Sequence, residues 1–460
     1  MSVHMIDTIL FGDSVGTLEM RSIFDESNML QSWLNVEVAL ARAQSALGII
    51  PGQAGEIIAA KADISLLDIE AVKASGKISG HSLLGLLGEF RKIINHEYSR
   101  YVHFGATTQD IIDTGLMLMI KDGYDVVLSH LGKCMEALLG IVTEHADTVM
   151  VGRTHGGHGL PITFGFKAAS WLSELSRQRD RLTDAKSRIL VGNLTGAVGT
   201  FASFGNKGLE IQSRALELLG LGVPDIVWHS SRDRIAEMMA LCSMLAGTAG
   251  RIGRNVYHLS RTEIRELEEP SKGKIGSSTM PHKKNPVHSE WIMILERTIR
   301  ANAAICLEVM GQEDEREASR WKNEWIAVPE TFVMLSGILN HLTIILKGLT
   351  VKKERMLENT GMLKGMLLSE QVMFLLEKVF PLPEAHAKVY AASVRATENN
   401  SHLLDELLSD KEIADHCTRE ELEKALEPAG YLGLSSFLAL SVRDKVQAQM
   451  CPSSKLQECF

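Results

Sequence analysis

The chain has 460 residues, enough to bury a large core and, by length, to form two or three domains. Its 45% hydrophobic content and near-zero mean hydropathy fit a soluble globular protein rather than a disordered or fibrous one. A net charge of −9 argues against general nucleic-acid binding, but leaves room for a local basic pocket.

Residues 1–13 lack a basic region followed by an apolar one, so no signal peptide is expected. No unbroken apolar run of bilayer length is expected either. The six cysteines, at 134, 242, 306, 417, 451 and 459, show no metal-type spacing, which fits a reducing cytoplasm.

The eleven prolines leave long free spans at 52–160, 162–223, 287–328 and 330–380. Alanine, leucine, methionine and glutamate dominate these spans and favour helix. The first helix is predicted over Ser27–Leu47, capped by Asp25 or Ser27 and stopped by Gly48 and Pro51. A second carries Leu83, Leu84, Leu86, Leu87 and Phe90, with His81 just before it. Thr107 and Thr108 follow Gly105 and precede another helical pattern. Free N–H groups and hydroxyls at a helix start suit a carboxylate, although the same residues also read as an ordinary cap. Further on, Ala168, Trp171, Leu172, Leu175, Leu182 and Ile189 form one helical stripe. The segment Ile235–Ala249 is apolar almost all round and must be buried on every side. The helical pattern resumes over Met293–Leu346, and Gly361–Gly365 marks the start of a last domain.

The stretch Gly273-Lys274-Ile275-Gly276-Ser277-Ser278-Thr279-Met280-Pro281-His282-Lys283-Lys284-Asn285-Pro286 interrupts the helices with glycines, hydroxyls, prolines and lysines. A basic, hydroxyl-rich loop held by rigid helices suits an anionic substrate. The stretch closely resembles the G-S-S-x-M-P-x-K-x-N-P signature of the fumarase/aspartase superfamily. Gly105–Thr114 and Gly152–Gly165, which contains Gly152-Arg153-Thr154-His155, resemble its two other signature regions. The resemblance covers nearly the whole chain.

That resemblance implies an all-α fold of three helical domains, here 1–112, 113–363 and 364–460. It implies a central long-helix bundle forming a twenty-helix core in a homotetramer, with active sites shared between subunits. The implied reaction is β-elimination that releases fumarate, without cofactor or metal. By position, Ser277 matches the general base, with Lys283 and the loop N–H groups lowering its pKa. Lys283 and Asn285 match residues that hold the substrate carboxylate, beside Thr107, Thr108 and Ser278. His155 matches the general acid of the adenylosuccinate lyase branch, Glu290 the carboxylate that orients it, and His81 a further active-site histidine. A loop serine, a solvated lysine and structural histidines are the plain alternatives. His155-x-x-His158 as a metal pair lacks a third ligand.

Three stretches look closer to 3-carboxy-cis,cis-muconate cycloisomerases: Gln109–Thr114, Trp228–Arg234 and Trp321–Trp325. Three departures argue against adenylosuccinate as substrate: Ser231 replaces a glutamine, Trp321–Val328 replaces a serine-rich stretch, and Leu10-Phe11-Gly12-Asp13 replaces a phosphate-binding Arg-Tyr-Ser. Arg320 either anchors another substrate group or is a surface arginine. The resulting expectation is a cytoplasmic lyase, acting on a small dicarboxylate, that frees fumarate from a succinylated amine or thiol. The alternatives are a carboxymuconate cycloisomerase, a non-catalytic protein on this scaffold, and a metal-using terpenoid-type enzyme built on Asp110-x-x-Asp113.

Overall fold

A computed structural model describes residues 4–271, 280 and 282–450. It is 70% helical with 4% strand, so the all-α expectation holds. Helix α1 spans Glu26–Ala46, with the Asp25 carboxylate accepting the Asn28 N–H at 2.7 Å and Gly48 beyond its end in the left-handed region. Helix α2, Ser82–Ile94, buries Leu83, Leu86, Leu87 and Phe90 and leaves Leu84 half exposed. Helix α3 runs over Thr108–Glu144, 37 residues, or about 55 Å at the α-helical rise.

Strands β1, Val149–Thr154, and β2, Gly157–Thr163, then pair as an antiparallel hairpin. β-Branched Val149, Val151, Ile162 and Thr163 suit that pairing. Helices α4 (Phe164–Ile189) and α5 (Asp233–Leu259) follow. A two-residue strand β3, Leu267–Glu268, precedes α6 (Val287–Val309). Helix α7 (Glu324–Gly348) leads into β4, Thr350–Val351, which pairs with β3, and then into α8, Lys353–Thr360.

The pattern over Met293–Leu346 is two helices, not one. Helix α6 stops at Val309, and a short helix at Ala318–Trp321 intervenes before α7. Gly311 and the run Glu313-Asp314-Glu315 end α6, because anionic side chains are unfavourable at a helix C-terminus.

The chain forms two compact units. The first comprises Met1–Leu131, Gln178–Gly250 and Trp291–His341; the second comprises Gly132–Arg177, Arg251–Glu290 and Leu342–Phe460. The boundaries fall inside α3, α4, α5, α6 and α7. The first unit buries Trp33, Leu34 and Leu40 of α1, Ile235, Met238, Met239, Cys242, Leu245 and Ala249 of α5, and Phe332 and Leu335 of α7; Met244 is exposed, so the α5 segment is buried on most sides but not all. In the second, Val372, Leu376, Val389, Leu403, Leu407, Ile413 and Leu422 form a cluster of their own.

The expectation about apolar runs needs correction. Among the described residues, Thr108–Glu144, Asp233–Leu259 and Ala318–Gly348 are long and apolar enough, by length and composition, to cross a membrane. A search for unbroken runs misses them because scattered polar residues interrupt each one. Within the chain, 67% of the most apolar window of the second and 72% of the third are buried, which accounts for their composition; for the first it is 39%.

Candidate functional site

The second unit holds a cleft of about 1360 Å³. Lys283, Asn285 and Glu290 line it together, with Arg261, Arg265 and Lys352. The segment enters α6 through Asn285 and Pro286: the Val287 N–H donates to the Asn285 carbonyl (2.9 Å) and the Glu290 N–H to the Pro286 carbonyl (3.1 Å). Lys283 and Glu290 are exposed, and each lacks a side-chain partner among the described residues. The next lysine is committed: Lys284 Nζ sits on the Glu268 carboxylate, which also takes Lys352 Nζ at 2.7 Å. These two hydrogen bonds, from Lys284 and then Lys352, hold Glu268 below the usual carboxylate range. Ser277 and Ser278 lie outside the described residues.

His155 stands at the tip of the β1–β2 hairpin. Thr154 pairs with Gly157, leaving His155 and Gly156 as a two-residue turn with φ of 52° and 82°. Two positive φ values are what a hairpin of this twist requires, and glycine supplies the second without strain. Histidine tolerates the left-handed region better than most residues, but still at some strain, a feature that clusters at functional sites. The hairpin is braced close to its tip. Arg153 makes a bidentate pair with the buried Glu266 (2.9 and 2.5 Å), which also accepts Asn359 Nδ2 at 2.7 Å from α8. Cross-strand from Arg153 is His158, whose ring is held below its usual range by burial and then by Arg153, with Glu266 opposing. His155 itself is exposed and is not among the residues lining the cleft.

In the first unit, α1 shapes the approach to Thr107. Buried Glu37 accepts the His103 N–H (2.8 Å) and meets His103 Nδ1 (2.7 Å), while Gln44 Nε2 donates to the Phe104 carbonyl (2.7 Å). Gly105, at φ of 80°, then turns the chain into α3. Thr107 and Thr108 are half-buried at the N-terminus of that helix. The Thr107 hydroxyl accepts Arg316 Nη1 at 3.2 Å, and Arg316 Nη2 reaches the Ala197 carbonyl at 2.7 Å. Arg316 is an exposed cation with no carboxylate partner among the described residues. Sequence reasoning missed it; the signal was one arginine in the acidic run Glu313–Glu317. Arg320, a substrate anchor or a surface arginine by sequence, is paired with Glu317 at 2.8 Å and with the Gly311 carbonyl in its own segment. His81 precedes α2 and has a buried Nδ1 with no hydrogen-bond partner among the described residues.

The three cycloisomerase-like stretches meet in one buried knot of the first unit. Arg232 is fully buried and grips Asp113 with two bonds (2.8 and 3.0 Å) and Glu324 with two more, one at 3.0 Å. Trp321 Nε1 also donates to Asp113 (2.9 Å), and Gln109 Nε2 to the His229 carbonyl (2.8 Å). Asp110 accepts the N–H groups of Thr107, Thr195 and Gly196, all within 3.0 Å, and meets His229 Nε2. Burial pulls the Arg232 guanidinium down, and the two carboxylates more than offset it, so it is held above its ordinary value. Glu324 is pushed up, first by burial and also by Asp113, against the attraction of Arg232. Asp110 and Asp113 are therefore consumed by hydrogen bonds and an ion pair. This overturns the reading of Asp110-x-x-Asp113 as a metal site, and no metal-type cluster occurs among the described residues.

Comparison with known proteins gives a consistent picture. The family described as "Lyase" matches residues 14–300, and the one described as "Adenylosuccinate lyase C-terminus" matches residues 365–438. The chain is 42% identical to the N-acetyl-S-(2-succino)cysteine lyase of Dickeya dadantii, over 94% of this chain and 95% of that one. It is 41% identical to the protein of the same name from Enterococcus italicus, over 94% and 95%. The crystal structure of the 3-carboxy-cis,cis-muconate lactonizing enzyme from Pseudomonas putida superposes with a TM-score of 0.91 at 33% identity, over 96% of this chain and all of that one.

Proposed function

We infer the activity from the premise that this chain belongs to the fumarase/aspartase superfamily of lyases. It is a lyase that releases fumarate by β-elimination from a succinylated amine or thiol. Within that class, a succinylated thiol of the N-acylcysteine kind is the substrate. The carrying observation is the similarity, across 94% of the chain, to two lyases named for such a compound.

The cleft residues fit the reaction. A proton leaves the methylene carbon next to one carboxylate, and charge develops on that carboxylate. The Lys283 ammonium and the Asn285 amide stabilise it, a role supported by their both lining the cleft. Ser277 serves as the base. The carbon–sulfur bond then breaks, and the departing thiolate takes a proton from His155. Glu290 orients His155, Thr107, Thr108 and Ser278 hold the second carboxylate, and Arg316 assists them. His81 and Arg320 border the leaving group.

The acid and the carboxylate-binding residues are assembled from more than one subunit. In support of this, His155 does not line the cleft that holds Lys283, Asn285 and Glu290. The reading extends, on the family resemblance, to a cytoplasmic homotetramer with a twenty-helix core, three domains at 1–112, 113–363 and 364–460, and no membrane partner. Mixing two impaired variants, His155→Asn and Lys283→Ala, should raise activity above that of either if sites are shared; a mixture no more active than the average of the two would count against sharing.

The cycloisomerase reading loses ground from the geometry. The three stretches that favoured it are packed against one another, so they report on packing rather than on substrate. The deciding assay follows fumarate absorbance and free thiol together on N-acetyl-S-(2-succino)cysteine, adenylosuccinate, argininosuccinate and 3-carboxymuconate. Fumarate and thiol in equal amounts from the first compound are expected. Turnover of carboxymuconate alone would replace this reading with cycloisomerisation.

A further inference from the structure

Helix α6 begins where the signature segment ends, and its start is unusual. Pro286 occupies the N-cap, its carbonyl accepting the Glu290 N–H at 3.1 Å. Proline has no side-chain acceptor, so it cannot satisfy the next free N–H groups as serine or aspartate would. Those groups are satisfied from 19 and 20 residues upstream. The Glu269 carboxylate accepts the N–H of His288 (3.0 Å) and of Ser289 (2.9 Å), and the Ser289 hydroxyl as well.

Glu269 is 8% exposed and Ser289 is fully buried, so this is a cap built into the interior. The positive end of the helix dipole opposes the carboxylate's buried charge. The preceding residue reinforces the grip: Glu268 holds Lys284, in the same segment, and Lys352, just after β4. Adjacent carboxylates thus pin the stretch 284–289 at two points. Lys283, Asn285 and Glu290 line the cleft beside those points, and Glu268 and Glu269 line it too.

We propose that Glu269 is a positioning residue for the elimination. As a remote cap on α6, it sets where Asn285 and Glu290 present their polar groups and keeps Lys283 at the substrate carboxylate. Nothing in its geometry requires it to touch substrate. The inference rests on the fumarate-releasing reading given above.

The test compares Glu269→Ala, Glu269→Gln and Ser289→Ala with the unsubstituted tetramer, reading kcat, KM, thermal unfolding and hydrogen exchange of the peptide spanning 282–290. Glu269→Ala should lower kcat/KM about 100-fold, mostly in kcat, as expected when reacting groups shift by about 1 Å. Glu269→Gln keeps one acceptor oxygen and should recover part of that loss. Ser289→Ala keeps both backbone bonds and should lose least. Exchange at 282–290 should quicken in the same order. The Glu269→Gln loss should also shrink in a Glu290→Gln background, because both act through one group. If Glu269→Gln unfolds at lower temperature while its folded fraction keeps full kcat/KM, the residue is structural and the proposal falls. If the unsubstituted protein frees no fumarate from any succinyl conjugate, the reaction reading falls instead, and this proposal with it.

Discussion

Arg232 and Arg153 are each held by buried carboxylates, and the two regions around them behave differently. Arg232 lies wholly inside the first unit, with Asp113 and Glu324 on its guanidinium and no edge left for a ligand. Arg153 lies near the tip of a hairpin in the second unit, with Glu266 and Asn359 behind it and an exposed histidine two residues ahead. The first arrangement spends its charge on holding three distant stretches together. The second uses one ion pair to brace an element whose tip, with His155, is exposed. Sequence motifs of equal clarity thus mark a buried scaffold in one place and an exposed element in the other.

The largest effect should come from breaking the scaffold. Arg232→Met leaves two carboxylates buried without their cation and should cost about 3–5 kcal/mol in urea unfolding. Lys283→Ala should do the reverse: stability within about 0.5 kcal/mol of the parent, because the side chain is exposed, but kcat/KM lower by about 100-fold or more. Equal stability loss in the two variants would erase the contrast. His155→Asn comes next. Asparagine tolerates the positive φ, so folding should be unchanged. Its kcat should fall about 100-fold on a succinylated amine and less on a succinylated thiol, since a thiolate needs less help to leave.

The smallest and sharpest comparison is in pH dependence. The folded-state pKa of Glu324 lies above its ordinary 4.5, so between those values the native state holds more protons than the unfolded one. Its contribution to stability therefore falls as pH rises from about 4.5 through the folded value. Glu268 is shifted down by Lys284 and Lys352, so its contribution is present above about 4.5 and is lost as pH falls through the folded value. Subtracting Glu324→Gln from the parent should remove a decline, and subtracting Glu268→Gln should remove a gain. Each slope is at most about 1.4 kcal/mol per pH unit in the unfolding free energy from urea titrations. Slopes of the same sign would mean that burial does not separate the two carboxylates.

Much was decided by the chain itself. Proline spacing and composition dictated long helices; Asp25 and Gly48 set the ends of α1; and the loop motif brought Lys283, Asn285 and Glu290 to notice, residues the structure gathers in one cleft. These are local properties, set by propensity, capping and short spacing. Tertiary structure decided the rest. Glu269 caps a helix 19 residues away, Glu266 braces Arg153 across 113, Arg316 meets Thr107 across 209, and Arg232 joins stretches 119 and 92 residues distant. A carboxylate's partner and its exposure are fixed only when such distant segments pack. The sequence alone therefore could not tell that Asp113 belongs to the scaffold while Glu290 faces the cleft.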